Sequence, residues 1–194
     1  MTKISFSGCI GSGKSSLLTE VKKILSLKEG VESIEDISKK NPFDTDKKLS
    51  FISQFYLLTN HINEENIKAI SFSDMLLCDS SVLDHWIQWQ KHLSDIEMNN
   101  NIEEKSEILK KLYLFWIKTY DLIFFIRVDP KVLEKRKEED SFTLPGMEYF
   151  KEMEALYLKT IKDDNLKIIE IWNNHSVDEG ANTIVEHISE FQKK

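Results

Sequence analysis

The eight residues Gly8-Cys9-Ile10-Gly11-Ser12-Gly13-Lys14-Ser15 constrain this chain more than any other feature of its sequence. They fill every fixed position of G-x-x-x-x-G-K-[ST] and lie between an apolar run, Ile4 to Ser7, and a segment of helical periodicity. The glycines let the backbone turn tightly, so that successive N–H groups point inward. The start of the following helix adds favourable dipole charge for an anion. Such a P-loop cradles phosphate, and Gly8, Gly11, Ser12, Gly13, Lys14, Ser15 and Ser16 are its candidate nucleotide contacts. Lys14 is placed to reach the β- and γ-phosphates, and the Ser15 hydroxyl to coordinate a metal ion. ATP (or another nucleoside triphosphate) and Mg2+ are therefore the expected cofactors.

Four more apolar runs follow the first: Val31 to Ile34, Met75 to Cys78, Leu122 to Val128 and Ile168 to Trp172. Helical periodicity separates each from the next, which is the pattern of a parallel sheet covered on both faces. The expected fold class is α/β, a P-loop nucleoside triphosphate hydrolase fold with a five-stranded parallel sheet and helices on both faces. Helices are expected from Gly13 to Leu27, Asp46 to Ile70, Val82 to Leu93, Ile102 to Thr119, Pro130 to Glu139, Met147 to Lys162 and Val177 to Gln192. Pro130 suits the first helical position, and Ser176 with Glu179 forms a capping box for the last helix. At 194 residues the chain is read as one domain, 1–194, with a short lid around 137–146.

The formal charge of -7 argues against a surface built to track a nucleic-acid backbone. Cys9 and Cys78 lack metal-ligand spacing and are expected as free thiols. No stretch approaches the ~20 apolar residues that cross a bilayer, so no membrane partner is expected and the location is read as cytoplasmic.

Two acidic positions stand out because ligands of open parallel sheets sit beyond the carboxyl ends of the strands. Met75-Leu76-Leu77-Cys78 runs into Asp79, a candidate magnesium holder, general base or both. An N-cap role competes for Asp79, and is the better reading of Ser80 and Ser81. The second run ends in Glu35 and Asp36. Adjacent residues point to opposite faces, so one of the two should enter the cleft.

With these residues laid out, the chain resembles the deoxynucleoside kinase family, which belongs with thymidylate kinase among the small P-loop kinases. Besides the P-loop, Glu35 to Phe43 resembles the family's segment in which an acidic residue precedes Asn-Pro, here Asn41-Pro42. Phe51 to Thr59 resembles its glutamine-bearing helix. The resemblance implies that Glu35, or Asp36, contacts the acceptor sugar hydroxyl and that Gln54 hydrogen-bonds the base, with Phe55 beside it. Asp79-Ser80-Ser81 is similar to the family's Asp/Glu-Arg-Ser motif, and Asp84 falls where a further acidic residue often follows. Val128 to Arg136 resembles the approach to the lid, and Gly146, Glu148, Tyr149 and Tyr157 what lies beyond it.

The departures are the arginines. Ser80 replaces the motif's arginine, His61 replaces another near the base, and Arg136 is followed in the lid by Lys137, Glu138 and Glu139. What the resemblance implies is a kinase that moves the γ-phosphate of ATP to a hydroxyl of a (deoxy)nucleoside, with Lys14, Asp79, Glu35 and Arg136 as catalytic residues and Ser15 and Asp79 on magnesium. The thin lid keeps other acceptors open: a nucleoside monophosphate, nicotinamide riboside or a modified base in DNA. It also keeps open a nucleotide-binding switch without transfer. Trp86 and Trp89 on one helix suggest a homodimer by analogy with these kinases.

Overall fold

The computed structural model describes residues 1–25, 30–37, 41–43, 51–70, 74–95, 101–139 and 146–193. Its strands are β1 (Thr2–Ser7), β2 (Val31–Ile34), β3 (Met75–Asp79), β4 (Leu122–Arg127) and β5 (Ile169–Trp172). They form one parallel sheet in the order β2-β3-β1-β4-β5. The helices are α1 (Lys14–Leu25), α2 (Phe51–Ile70), α3 (Val82–Asp95), α4 (Ile102–Trp116), α5 (Pro130–Glu139), α6 (Met147–Asp163) and α7 (Val177–Gln192), with a 3-10 turn at Ile117–Thr119 closing α4. The expected α/β architecture is therefore present. The start expected for the second helix, Asp46, and the lid residues 140–145 lie outside the described residues.

Strand alternation sorts the core into two layers. Ile4 and Phe6 of β1 and Met75 and Leu77 of β3 pack against Leu17 and Val21 of α1 and Ile184 and Ile188 of α7. Leu76 and Cys78 face the opposite layer, where α2, α3, α4 and α6 contribute Leu57, Leu83, Trp89, Tyr113 and Tyr157. β1 turns Lys3, Ser5 and Ser7 toward that second layer, which leaves room for polar chemistry at the strand's carboxyl end.

The helix caps follow local rules. Ser176 accepts a hydrogen bond from the Glu179 N–H at 3.2 Å, as the capping box requires. Asp129 serves α5, accepting from the Lys131 N–H at 2.9 Å. Trp86 and Trp89 are consumed inside the subunit. Trp86 stacks on Tyr113 at 5.7 Å, and Trp89 meets Phe51 edge-on while its indole N–H donates to Ser106 at 3.0 Å. The pair suggested as an interface joins α2, α3 and α4 within one chain.

Candidate active site

The P-loop sits at the carboxyl edge of β1, between β3 and β4, where the chain's crossovers diverge to the two sides of the sheet. Gly8, Gly11 and Gly13 all take positive φ, at 150°, 84° and 89°. A Cβ on Gly8 would lie 2.4 Å from the Ile126 carbonyl oxygen, and one on Gly13 would lie 2.3 Å from Asn173 Nδ2. Glycine is thus required by backbone conformation and by close approach together.

Both ends of the loop are held by side chains from far along the chain. At the entry, the Gly8 N–H donates to Asp84 Oδ1 at 3.0 Å, and the Tyr157 hydroxyl lies 2.7 Å from the same oxygen and 3.1 Å from the Gly8 carbonyl. At the exit, Asn173 Nδ2 donates to the Ser12 carbonyl at 2.8 Å, and Arg136 reaches that carbonyl at 3.4 Å and the Asn173 carbonyl at 2.7 Å. Lys14 Nζ donates to the carbonyls of Gly8 at 2.7 Å and Cys9 at 3.1 Å.

Asp79 ends β3 on the face it shares with Met75 and Leu77, the face that α1 covers, so it meets the first turn of α1. The Ser15 hydroxyl favours the charged form of its carboxylate. Asp79 is 5% exposed and its Oδ1 has no hydrogen-bond partner among the described residues. Burial pushes its pKa up, against the lowering effect of Ser15 and Lys14, while Asp36 and Asp84 push it further up. A buried carboxylate oxygen still open to a ligand, beside a serine hydroxyl, is a hard oxygen donor set that suits Mg2+.

Of the two acids after β2, Glu35 is exposed, whereas Asp36 is half-buried and its charge acts on both Asp79 and His85. Gln54 is buried on α2, and Phe55 is 38% exposed and packs on Phe51 at 5.8 Å. Asn41 ties the Asn-Pro segment to that helix, donating to Ser53 Oγ at 3.0 Å.

Asp84 sits elsewhere than an acceptor pocket. It is 4% exposed, and besides Gly8 and Tyr157 it accepts from the Ser81 N–H at 2.7 Å and Ser81 Oγ at 3.0 Å. Ser81 is the N-cap of α3, its Oγ taking the Leu83 N–H at 3.0 Å, so Asp84 completes a capping box while gripping the P-loop. Ser80, in the place of the missing arginine, is buried with φ 115°.

Several long-range contacts escape a reading of the sequence. Asn173 and Tyr157 act across 161 and 149 residues of chain. His61 belongs to a buried polar cluster. Its Nδ1 lies 3.1 Å from His85 Nε2 and its Nε2 lies 2.9 Å from Glu65, which also binds Lys3 at 2.7 Å, the Tyr120 hydroxyl at 2.6 Å and the Trp116 indole N–H. His61, Glu65 and Cys78 have the ligand types and proximity for a metal. Both Glu65 oxygens, however, are saturated by donors and the Lys3 ammonium sits beside them, so the cluster is a hydrogen-bonded network rather than a cation site. No helix among the described residues is long and apolar enough to cross a membrane.

A family model described as "AAA domain" matches residues 3–179. Among solved structures, deoxyadenosine kinase from M. mycoides with products dCMP and a flexible dCDP bound shares 18% identity at a TM-score of 0.70, over 97% of this chain and 100% of that one. The same enzyme with dCTP and with dATP shares 19% identity over the same spans, at TM-scores of 0.69 and 0.68. No curated protein matches the sequence. The likeness in fold and the family match across the P-loop agree with the geometry above: the chain belongs to the AAA domain family and carries the P-loop fold seen in deoxyadenosine kinase.

Proposed function

We propose that the protein is an ATP-dependent kinase that transfers the γ-phosphate to a hydroxyl of a (deoxy)nucleoside. One observation carries the reading: Lys14, Ser15 and the open, buried oxygen of Asp79 converge at the P-loop, with Asp36, just beyond β2, near enough for its charge to act on Asp79. A switch that only binds nucleotide has no need of a second carboxylate there. The solved neighbours, kinases holding deoxycytidine and deoxyadenosine nucleotides, support a nucleoside-type acceptor.

In this reading the P-loop amides and Lys14 hold the β- and γ-phosphates of ATP. Ser15 and Asp79 would hold magnesium, which would neutralise charge developing on the transferred group. Asp36 accepts the proton of the acceptor hydroxyl, whose oxygen bonds to the γ-phosphorus as the bond to the β-γ bridging oxygen breaks. Arg136, already at the P-loop, stabilises charge on the transferring group, as Lys14 does. Gln54 orients the base, with Phe55 next to it on α2.

The test is ATP consumption with magnesium across ribonucleosides, deoxynucleosides, nucleoside monophosphates and nicotinamide riboside. Turnover on deoxynucleosides, lost with Lys14→Ala and with Asp79→Asn and lowered at least a hundredfold with Asp36→Asn, supports the assignment. Turnover confined to another acceptor moves the substrate class. Tight ATP binding without turnover on any acceptor removes the kinase reading in favour of a switch.

A further inference from the structure

Each carbonyl that holds Lys14 has a second donor within reach. The Cys9 carbonyl also accepts from the Ser12 N–H at 3.2 Å, and the Gly8 carbonyl has the Tyr157 hydroxyl at 3.1 Å. The two second donors differ in kind. The Ser12 N–H is a backbone donor already bonded to Cys9. The Tyr157 hydroxyl has one proton and two acceptors, and its shorter contact, 2.7 Å, is to Asp84 Oδ1.

That arrangement matters when Lys14 moves. A nucleotide draws the ammonium onto phosphate oxygens, and the Gly8 carbonyl then loses its donor in a loop whose residues Ser7, Gly8 and Cys9 are buried. Asp84 Oδ1 tolerates the loss of the Tyr157 proton because the Gly8 N–H still serves it at 3.0 Å. Burial, reinforced by the Asp84 charge, holds the Tyr157 pKa well above its ordinary range, so the hydroxyl keeps the proton it must swing. The ring is fixed by Phe125, 5.2 Å away, so only the hydroxyl hydrogen has to turn.

We propose that Tyr157 is a positioning residue of the phosphate cradle, which takes over the Gly8 carbonyl when Lys14 leaves it for the phosphates of a bound nucleoside triphosphate. The inference rests on the nucleotide reading of the P-loop. It adds that the loop is poised: Lys14 is parked on two oxygens that can each let it go without being left bare.

The experiment is calorimetric titration of ATP with magnesium into the full chain, wild type and Tyr157→Phe, with melting curves of both free proteins. Phenylalanine fills the same space, so the variant folds and melts within a few degrees of wild type. Its ATP affinity is expected to fall about five- to hundredfold, the range for a buried carbonyl left without a donor. In a Lys14→Met background, where no ammonium leaves Gly8, adding Tyr157→Phe changes affinity less than threefold. Equal affinity in wild type and Tyr157→Phe would overturn the hand-off while leaving the kinase reading intact. So would a loss that persists in full with Lys14→Met, or a large drop in melting temperature at unchanged affinity, which marks a purely structural tyrosine. A wild type that binds no ATP would instead remove the nucleotide reading beneath both.

Discussion

Replacing Glu65 by glutamine should unfold more of this protein than any surface substitution, because Glu65 is the only anion of the buried cluster to which Lys3 is bonded among the described residues. Lys3 Nζ lies 2.7 Å from Glu65 Oε2 with the two side chains 8% and 1% exposed, and it sits 4.5 Å and 4.4 Å from the ring centroids of Trp116 and Tyr120. Glutamine keeps the shape but removes the charge and turns an amide N–H₂ toward groups that are themselves donors. Breaking one side of a buried ion pair costs about 3–5 kcal/mol. The titration of Glu65 supplies an independent figure. Burial pushes its pKa up, but hydrogen bonds and charge from His61 and Lys3 outweigh burial and hold it at about 2, against an ordinary 4.5. A carboxylate depressed in the folded state stabilises it above the unfolded pKa and loses that contribution as pH falls from 4.5 toward 2. The difference corresponds to about 3 kcal/mol.

The two routes agree, so Glu65→Gln should lower the melting temperature by about 6–20 °C for a chain of this size. Urea unfolding at pH 7, followed by circular dichroism, measures the free energy directly. The double variant Lys3→Met/Glu65→Gln should recover part of the loss, since it leaves no unpaired charge behind. A Glu65→Gln loss below about 1 kcal/mol would refute the reasoning, as would strict additivity in the double variant. Either would mean that water reaches Lys3 and the pair contributes no more than a surface contact.

His85 should make the protein acid-sensitive at a higher pH than Glu65 does. Burial first, then the neighbouring His61, push its pKa down to about 4 from 6.5, so it binds a proton more readily unfolded than folded; stability is complete above 6.5 and declines toward pH 4, a limb that His85→Phe should flatten in pH-dependent melting. Ser80→Gly should stabilise by about 0.5–2 kcal/mol, because it relieves a positive φ and removes a buried Oγ that has no partner among the described residues, and a lower melting temperature would show that the turn is not strained. Gly8→Ala should cost about 2–4 kcal/mol, since its Cβ would meet the Ile126 backbone oxygen at 2.4 Å, and the same change should abolish ATP binding in a thermal-shift assay.

The sheet, its strands and the P-loop were legible in the sequence because each is a local matter. Short apolar runs mark strands buried on both faces, glycines mark positive φ, and the Ser176–Glu179 box or Pro130 acts within one helical turn. Boundaries shifted by a residue or two. β1 starts at Thr2 because Thr2 and Lys3 pair with Met75 and Leu76, a register that a lone strand does not reveal. The position of Asp79 at the P-loop edge of the sheet followed from the rule that ligands of parallel sheets sit beyond the carboxyl ends of the strands. The choice between Glu35 and Asp36 did not, because a short strand leaves its phase open until its neighbour fixes the register.

What only the tertiary structure decided is which polar side chains grip the loop and which face the cleft. Asp84 looks in sequence like one more acid near an acceptor, and it becomes an anchor because Gly8 and Tyr157 converge on its Oδ1. His61 looks like an isolated helical histidine until Glu65, one turn on, and His85, from the next helix, enclose it. Asn173 and Tyr157 carry no local signal, since a hydrogen bond to a loop at the far end of the chain depends on how the helices pack around the sheet. The sequence alone determined the backbone of the cradle, because that backbone is made by its own residues; the side chains that hold it come from elements whose meeting is a property of the whole fold.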